Sequence, residues 1–198
     1  MIIEYIGIPG CGKTYQANLY KQKIKTEGKK YLDISRHKGS PLWLKAFYKI
    51  ANYGICLMPK YKSQIRQYYL ACNECSDKPR YFPLPLKICI RDIVLSSLLH
   101  FLFAKTQRVI LNDEGQLLKI AVLIVQYDVD IQKIMQVYNT EKHFEDIRYI
   151  QISVEEAFVN IRKRNRHVCE MDEMKDDELM AYLNKFDQVC RNCLKYIK

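Results

Sequence analysis

Four short runs of apolar, β-branched and aromatic residues punctuate the chain, and between them apolar positions recur at steps of three and four. "MIIEYIG" (1–7) is such a run, stopped by a glycine, and predicts a buried strand. "KYLDIS" (30–35), "RVILND" (108–113) and "IRYIQIS" (147–153) predict three more. From 13 to about 25 the pattern turns helical, with Ala17, Tyr20 and Ile24 on one side. Residues 87–105 and 115–138 also read as helical. "SVEEAFVNIRKR" (153–164) opens with a capping box, Ser153 to Glu156, and carries Val154, Ala157, Phe158 and Ile161 on one face. The acidic run 170–178 reads as solvated, with Asp176 to Glu178 favourably placed at a helix start. Leu179, Leu183, Phe186, Cys190, Cys193 and Ile197 then form the seam of a last helix. The stretch 37–90 is rich in aromatic and basic residues and broken by Pro41, Pro59, Pro79, Pro83 and Pro85, which predicts two or three short helices.

Strands alternating with helices predict an α/β fold, a mostly parallel sheet of about four to five strands flanked by helices. In such folds ligands sit at the carboxyl ends of the strands, where Gly7 and Gly115 both lie. The 198 residues suit one domain, 1–198.

Composition narrows the partners. With 32 Lys+Arg against 22 Asp+Glu the chain carries +10, which tilts it towards an anionic ligand. No run reaches the roughly 18 apolar residues of a membrane span. The amino terminus lacks the cationic and long apolar regions of a signal peptide, so a cytoplasmic chain without a membrane role is expected. Two CxxC pairs, Cys72/Cys75 and Cys190/Cys193, could together offer four thiolates to zinc. Cys190 and Cys193 fall on the last helix's seam, and Ile65, Tyr68, Tyr69 and Cys72 share another helical face. Buried core thiols are therefore the stronger expectation.

The sharpest motif is Gly7-Ile8-Pro9-Gly10-Cys11-Gly12-Lys13-Thr14, a G-x-x-x-x-G-K-[ST] phosphate-binding loop with a strand before it and a helix after it. Glycines allow backbone amides to converge on phosphate oxygens where a Cβ would intrude, and the helix that follows turns its positive end to the same oxygens. The expected nucleotide contacts are Gly7, Pro9, Gly10, Cys11, Gly12, Lys13, Thr14 and Tyr15. Lys13 would reach the β- and γ-phosphates of ATP or GTP, and the Thr14 hydroxyl would bind Mg²⁺.

Such a loop needs a carboxylate to hold Mg²⁺, and "VILNDEG" (109–115) ends a strand with one. Asp113 is the expected metal partner through water. Glu114 is a candidate base, with Asp33 at the end of the second strand as its rival; Asp33 reads equally well as a cap for the turn at Ser35. Cations are needed over the transferring phosphoryl group. Arg162, Arg164 and Arg166 could supply them, Arg162 and Arg166 on one helix face, or could be a cationic helix end favoured by the macrodipole.

In order along the chain these elements resemble the P-loop small-molecule kinases, the nucleoside and nucleotide kinase group that includes thymidylate kinase. The resemblance covers most of the chain in layout and is specific over 2–14, 108–115 and 150–166. It implies the three-layer sandwich of the P-loop NTPases, an acceptor-binding role for 37–90, and a lid over about 162–175. Two departures stand out. Thymidylate kinases usually follow the aspartate with arginine, whereas Glu114 and Gly115 follow Asp113 here, against a nucleoside monophosphate acceptor. No further strand follows the lid helices, which implies a smaller sheet. "NDEG" is also similar to kinase-like proteins of bacterial polysaccharide clusters, which implies a sugar-type acceptor.

Three functions fit: a kinase for a small molecule, an NTPase acting on a protein or nucleic acid, and a nucleotide-binding module without turnover. Only 84 residues follow Glu114, a short allowance for motor machinery, which favours the kinase. Nucleic acid is the less favoured partner, since no recognised binding module is visible.

Overall fold

The computed structural model describes residues 1–35, 42–141, 145–164 and 170–197. Four strands, β1 (Ile2–Ile6), β2 (Tyr31–Asp33), β3 (Val109–Asn112) and β4 (Glu145–Tyr149), make one sheet in the order β2-β3-β1-β4. Every pairing is parallel, with Ile3 opposite Leu111 on one side and Asp146 on the other. β1 is thus central, and its five residues are all buried. That is why its sequence reads as one apolar run rather than an alternation.

The two faces of β1 meet different partners. Ile3 and Tyr5 pack with Ala17 and Ile24 of α1 (Lys13–Thr26) and with Leu111. Ile2 and Ile6 face the larger core, built on α4 (Leu86–Phe103), α5 (Gln116–Tyr127) and α9 (Asp176–Lys195). Helices on both sides of a parallel sheet give the three layers expected. The stretch 42–71 forms α2 (Leu42–Gly54), a single 3₁₀ turn (Ile55–Leu57) and α3 (Pro59–Ala71), two short helices as its prolines suggested. α6 (Ile131–Asn139), α7 (Val154–Arg164) and α8 (Glu170–Glu173) complete the described elements.

The α9 seam is buried as its spacing predicts, with Leu179, Leu183, Cys190 and Cys193 inaccessible and Phe186 nearly so. At about 1.5–3 kcal/mol for each large apolar side chain, that seam ties the C-terminal helix to the sheet. Among the described cysteines, Cys11, Cys72, Cys89, Cys190 and Cys193 are buried core residues, and Cys75 is half-buried. Burial pushes the Cys72, Cys89 and Cys193 thiols up to about 12. Among the described residues no group of three or more metal-ligating side chains is placed to hold an ion, and no helix is long and apolar enough to cross a membrane.

Three details differ from the sequence pattern. The helical stretch 115–138 is two helices, because Asp128 takes a left-handed conformation (φ 52°) and Asp130 caps α6 by accepting from the Gln132 amide at 2.8 Å. The apolar spacing runs on across this break and hides it. β4 begins and ends earlier than 147–153, so 150–153 leads to α7 as coil. On α3 the inward face is Tyr61, Gln64 and Tyr68, whereas Tyr69 is exposed.

Candidate functional site

The β1–α1 loop opens at the carboxyl edge of the sheet. Gly10 and Gly12 have φ values of 88° and 84°, which only glycine adopts without strain. Gly10 is also pinned from behind. A Cβ there would sit 2.6 Å from the Ala157 carbonyl of α7, while Asn160 donates to the Gly10 carbonyl at 3.2 Å. Cys11 is buried beneath the loop. Gly12 starts α1 without a side-chain cap, and the first turn holds no acid, so the helix presents its amino end unneutralised. Lys13 folds back, its Nζ donating to the carbonyls of Gly7 at 2.9 Å and Ile8 at 3.2 Å.

Thr14 Oγ1 donates to Asp113 Oδ2 at 2.9 Å, joining the start of α1 to the end of β3 across 99 residues of sequence. Asp113 is itself set from the neighbouring strand, its amide donating to Ser35 Oγ at 2.9 Å. Asn112, just before it, is fixed by a 3.0 Å contact between its Nδ2 and His100 Nε2 of α4. The next residue, Glu114, is exposed and stands in the cleft.

Beyond Glu114 lies a device the sequence reading missed. Glu4, wholly buried in β1 on the large-core face, accepts from the amides of Gln116 (3.1 Å), Leu117 (2.7 Å) and Leu118 (3.3 Å). It caps α5 from the adjacent strand, a charged acceptor at the positive helix end. Gly115 is glycine for this reason, since a Cβ would overlap the Glu4 carboxyl group. The signal was a lone charge inside an otherwise apolar strand. Gln116 extends the same tie, its Nε2 donating to Glu141 at 2.7 Å. The Tyr68 hydroxyl donates to that carboxylate at 3.0 Å, and burial, then Glu141, push its phenol well above the ordinary value.

A cleft of about 600 Å³ spans the loop and the β3 end. Pro9, Gly10, Gly12, Lys13, Thr14, Tyr15, Asp113 and Glu114 line it, so the structure brings together most of the residues singled out in the sequence. The far wall comes from elsewhere: Phe82, Leu118 and Val122, with Met171 of α8 and Tyr182 and Phe186 of α9. Tyr182 stacks edge-on against Phe82, ring centroids 6.0 Å apart. Phe82 is held in turn by its amide's bond to Gln126 Oε1.

Two expected residues point elsewhere. Asp33 serves the turn, accepting from the Ser35 amide at 2.9 Å and pairing with Lys21 at 2.5 Å, and it is not among the cleft's lining residues. Arg162 is a clasp. It bonds Asp176 at 2.8 Å and the carbonyls of Asp172 and Met174, binding α7 to the α8–α9 junction. Arg164, two residues on, lines the cleft instead. Arg166 lies outside the described residues.

Parallel sheet, glycine loop and uncapped helix define the P-loop NTPase fold. No protein-family model matches the chain, and no curated protein matches its sequence. Among solved structures it is similar to a deoxyadenosine kinase from M. mycoides with bound dATP, at a TM-score of 0.51 and 16% identity, over 97% of this chain and 85% of that one. Similarity at this level is one of fold.

Proposed function

We propose that the protein is a phosphotransferase that moves the terminal phosphoryl group of ATP or GTP to a small molecule. The observation that carries this reading is the Thr14–Asp113 bond at the open amino end of α1, which sets a hydroxyl and a carboxylate beside a loop built for phosphates. The kinase identity of the fold neighbour supports it, as does the cleft's volume of about 600 Å³, which leaves room for an acceptor.

The donor phosphates sit against the amides of the loop, and Lys13 swings from the Gly7 and Ile8 carbonyls onto them. Arg164, also in the cleft lining, adds positive charge. The Thr14 hydroxyl and Asp113 carboxylate are hard oxygen donors that suit Mg²⁺, and they would hold it. Magnesium bound there would offset charge developing on the phosphates. Glu114 is placed to take the proton of the acceptor hydroxyl. Its amide is steadied by the Asn112 side chain at 3.3 Å.

Acceptor-dependent release of ADP or GDP from the purified protein tests the reading. Release that needs an acceptor and disappears in Lys13→Ala supports phosphotransfer. Release indifferent to any small molecule but raised by a protein or nucleic acid would instead support a hydrolytic NTPase.

A further inference from the structure

Off the main cleft opens a second, smaller cavity of about 250 Å³ between α4 and α5. The two share Glu114, Leu118 and Val122, so they adjoin at the candidate base. The small cavity adds Leu84, Cys89 and Asp92 from the start of α4 and the segment before it, with Lys119 of α5. Among the described residues of 37–90, Phe82 lines the main cleft and Leu84 and Cys89 the smaller cavity.

The charges of the adjoining cavities are divided. The main cleft holds Lys13 and Arg164 with Asp113. The smaller cavity holds two carboxylates, Asp92 and the shared Glu114, against one ammonium, Lys119, which donates to Ser96 Oγ at 2.5 Å. The rest of the smaller cavity's lining is Leu84, Cys89, Leu118 and Val122. A compound bearing its own phosphate would carry like charge towards these carboxylates, and the partial burial of Asp92 strengthens the repulsion. Carboxylates and apolar side chains together suit a ring whose hydroxyls donate and whose face is uncharged.

Resting on the phosphotransferase reading, we propose that this cavity is the acceptor subsite, that it takes an uncharged polyhydroxylated ring compound, and that Asp92 determines that preference by accepting hydrogen bonds from the acceptor's hydroxyls. In the step itself one acceptor hydroxyl, next to Glu114, attacks the γ-phosphorus of ATP. An O–P bond forms and the bond from γ-phosphorus to the β–γ bridging oxygen breaks. ADP leaves with that electron pair, and the hydroxyl proton passes to the Glu114 carboxylate.

The test uses matched pairs on the full chain, with ATP affinity measured separately by calorimetry. One pair is a nucleoside and its 5′-monophosphate, the other a hexose and its 6-phosphate. The uncharged member of one pair should drive ADP release with kcat/KM at least about tenfold above its phosphorylated partner, the energy of one modestly screened like-charge contact. Which pair responds distinguishes a nucleoside from a sugar. Asp92→Asn should raise the acceptor KM by about tenfold with little change in kcat or ATP affinity. Asp92→Lys should shift preference towards the phosphorylated member, which a merely structural residue would not do. Preference for the phosphorylated member, or an unchanged acceptor KM in Asp92→Asn, would overturn the inference and leave phosphotransfer standing. ATP binding without stimulation by either pair would also overturn it. Absence of binding to both ATP and GTP would instead remove the phosphotransferase reading beneath it.

Discussion

Two helices begin side by side at the carboxyl edge of the sheet, and their amino ends have opposite fates. α1 follows β1 and α5 follows the adjacent β3, each through a glycine-bearing loop. Both lack a cap from their own N-cap residue, and neither carries an acid in its first turn. Yet α5 is filled by the Glu4 carboxylate, while α1 faces the cleft. Local sequence makes the two ends alike. A single side chain from the central strand decides which remains open to a phosphate. The open end is where Lys13, Thr14 and Asp113 gather, and the closed one holds α5 in place so that Glu114 and Leu118 can form the other wall.

That contrast can be broken from either side. The largest effect is expected at the open end, where Lys13→Ala should cut nucleotide turnover by about 10²–10³-fold with far-UV circular dichroism unchanged. At the closed end the loss is in stability. Gly115→Ala forces a methyl into Glu4 and should cost about 2–4 kcal/mol in urea unfolding, and Glu4→Gln about 2–3 kcal/mol by breaking charged bonds to buried amides. In Glu4→Gln, ATP affinity measured below the unfolding transition should stay within about threefold of the parent. A change in affinity larger than the change in stability would erase the distinction between the two ends.

On the proposed reading, Glu114 separates chemistry from binding. Glu114→Gln should lower kcat by about 10²-fold with ATP affinity kept, whereas Asp33→Asn, tied to Lys21 and the Ser35 turn, should leave kcat within about threefold. The reverse pattern in steady-state kinetics would return the base to the second strand.

The smallest effect lies at the far end of α5. Lys185 bonds Asp128 at 2.8 Å and holds its carboxyl below the usual value. A depressed carboxylate contributes stability above its unfolded pKa, and that contribution is lost as pH falls through the lower folded value. Asp128 is exposed and Lys185 partly so, which screens the pair to about 0.5 kcal/mol or less. The melting temperature of Lys185→Ala should therefore trail the parent slightly at neutral pH and meet it in acid.

What could be read from sequence follows the same divide between local and distant. The glycine loop, its strand and its helix were legible because local spacing sets their conformation, and Asp113 was legible because a strand end delivers it to the same edge. The α9 seam was legible because burial imposes its period. The Glu4 cap was not, because it joins residues 112 to 114 apart and depends on which strands are neighbours. Arg162 and Arg164 look interchangeable along the chain, and only the position of the α8–α9 junction turns one into a clasp and leaves the other on the cleft. The aromatic wall of Phe82, Tyr182 and Phe186 is likewise a product of packing between distant segments.

The central claim is that the open end of α1 holds a nucleotide whose phosphoryl group is passed to an acceptor. ADP or GDP release by the parent protein and by Lys13→Ala, followed side by side with and without a panel of small hydroxyl compounds, addresses it most directly. The account predicts acceptor-dependent release in the parent and its loss in the variant. Equal release by the two proteins would contradict it.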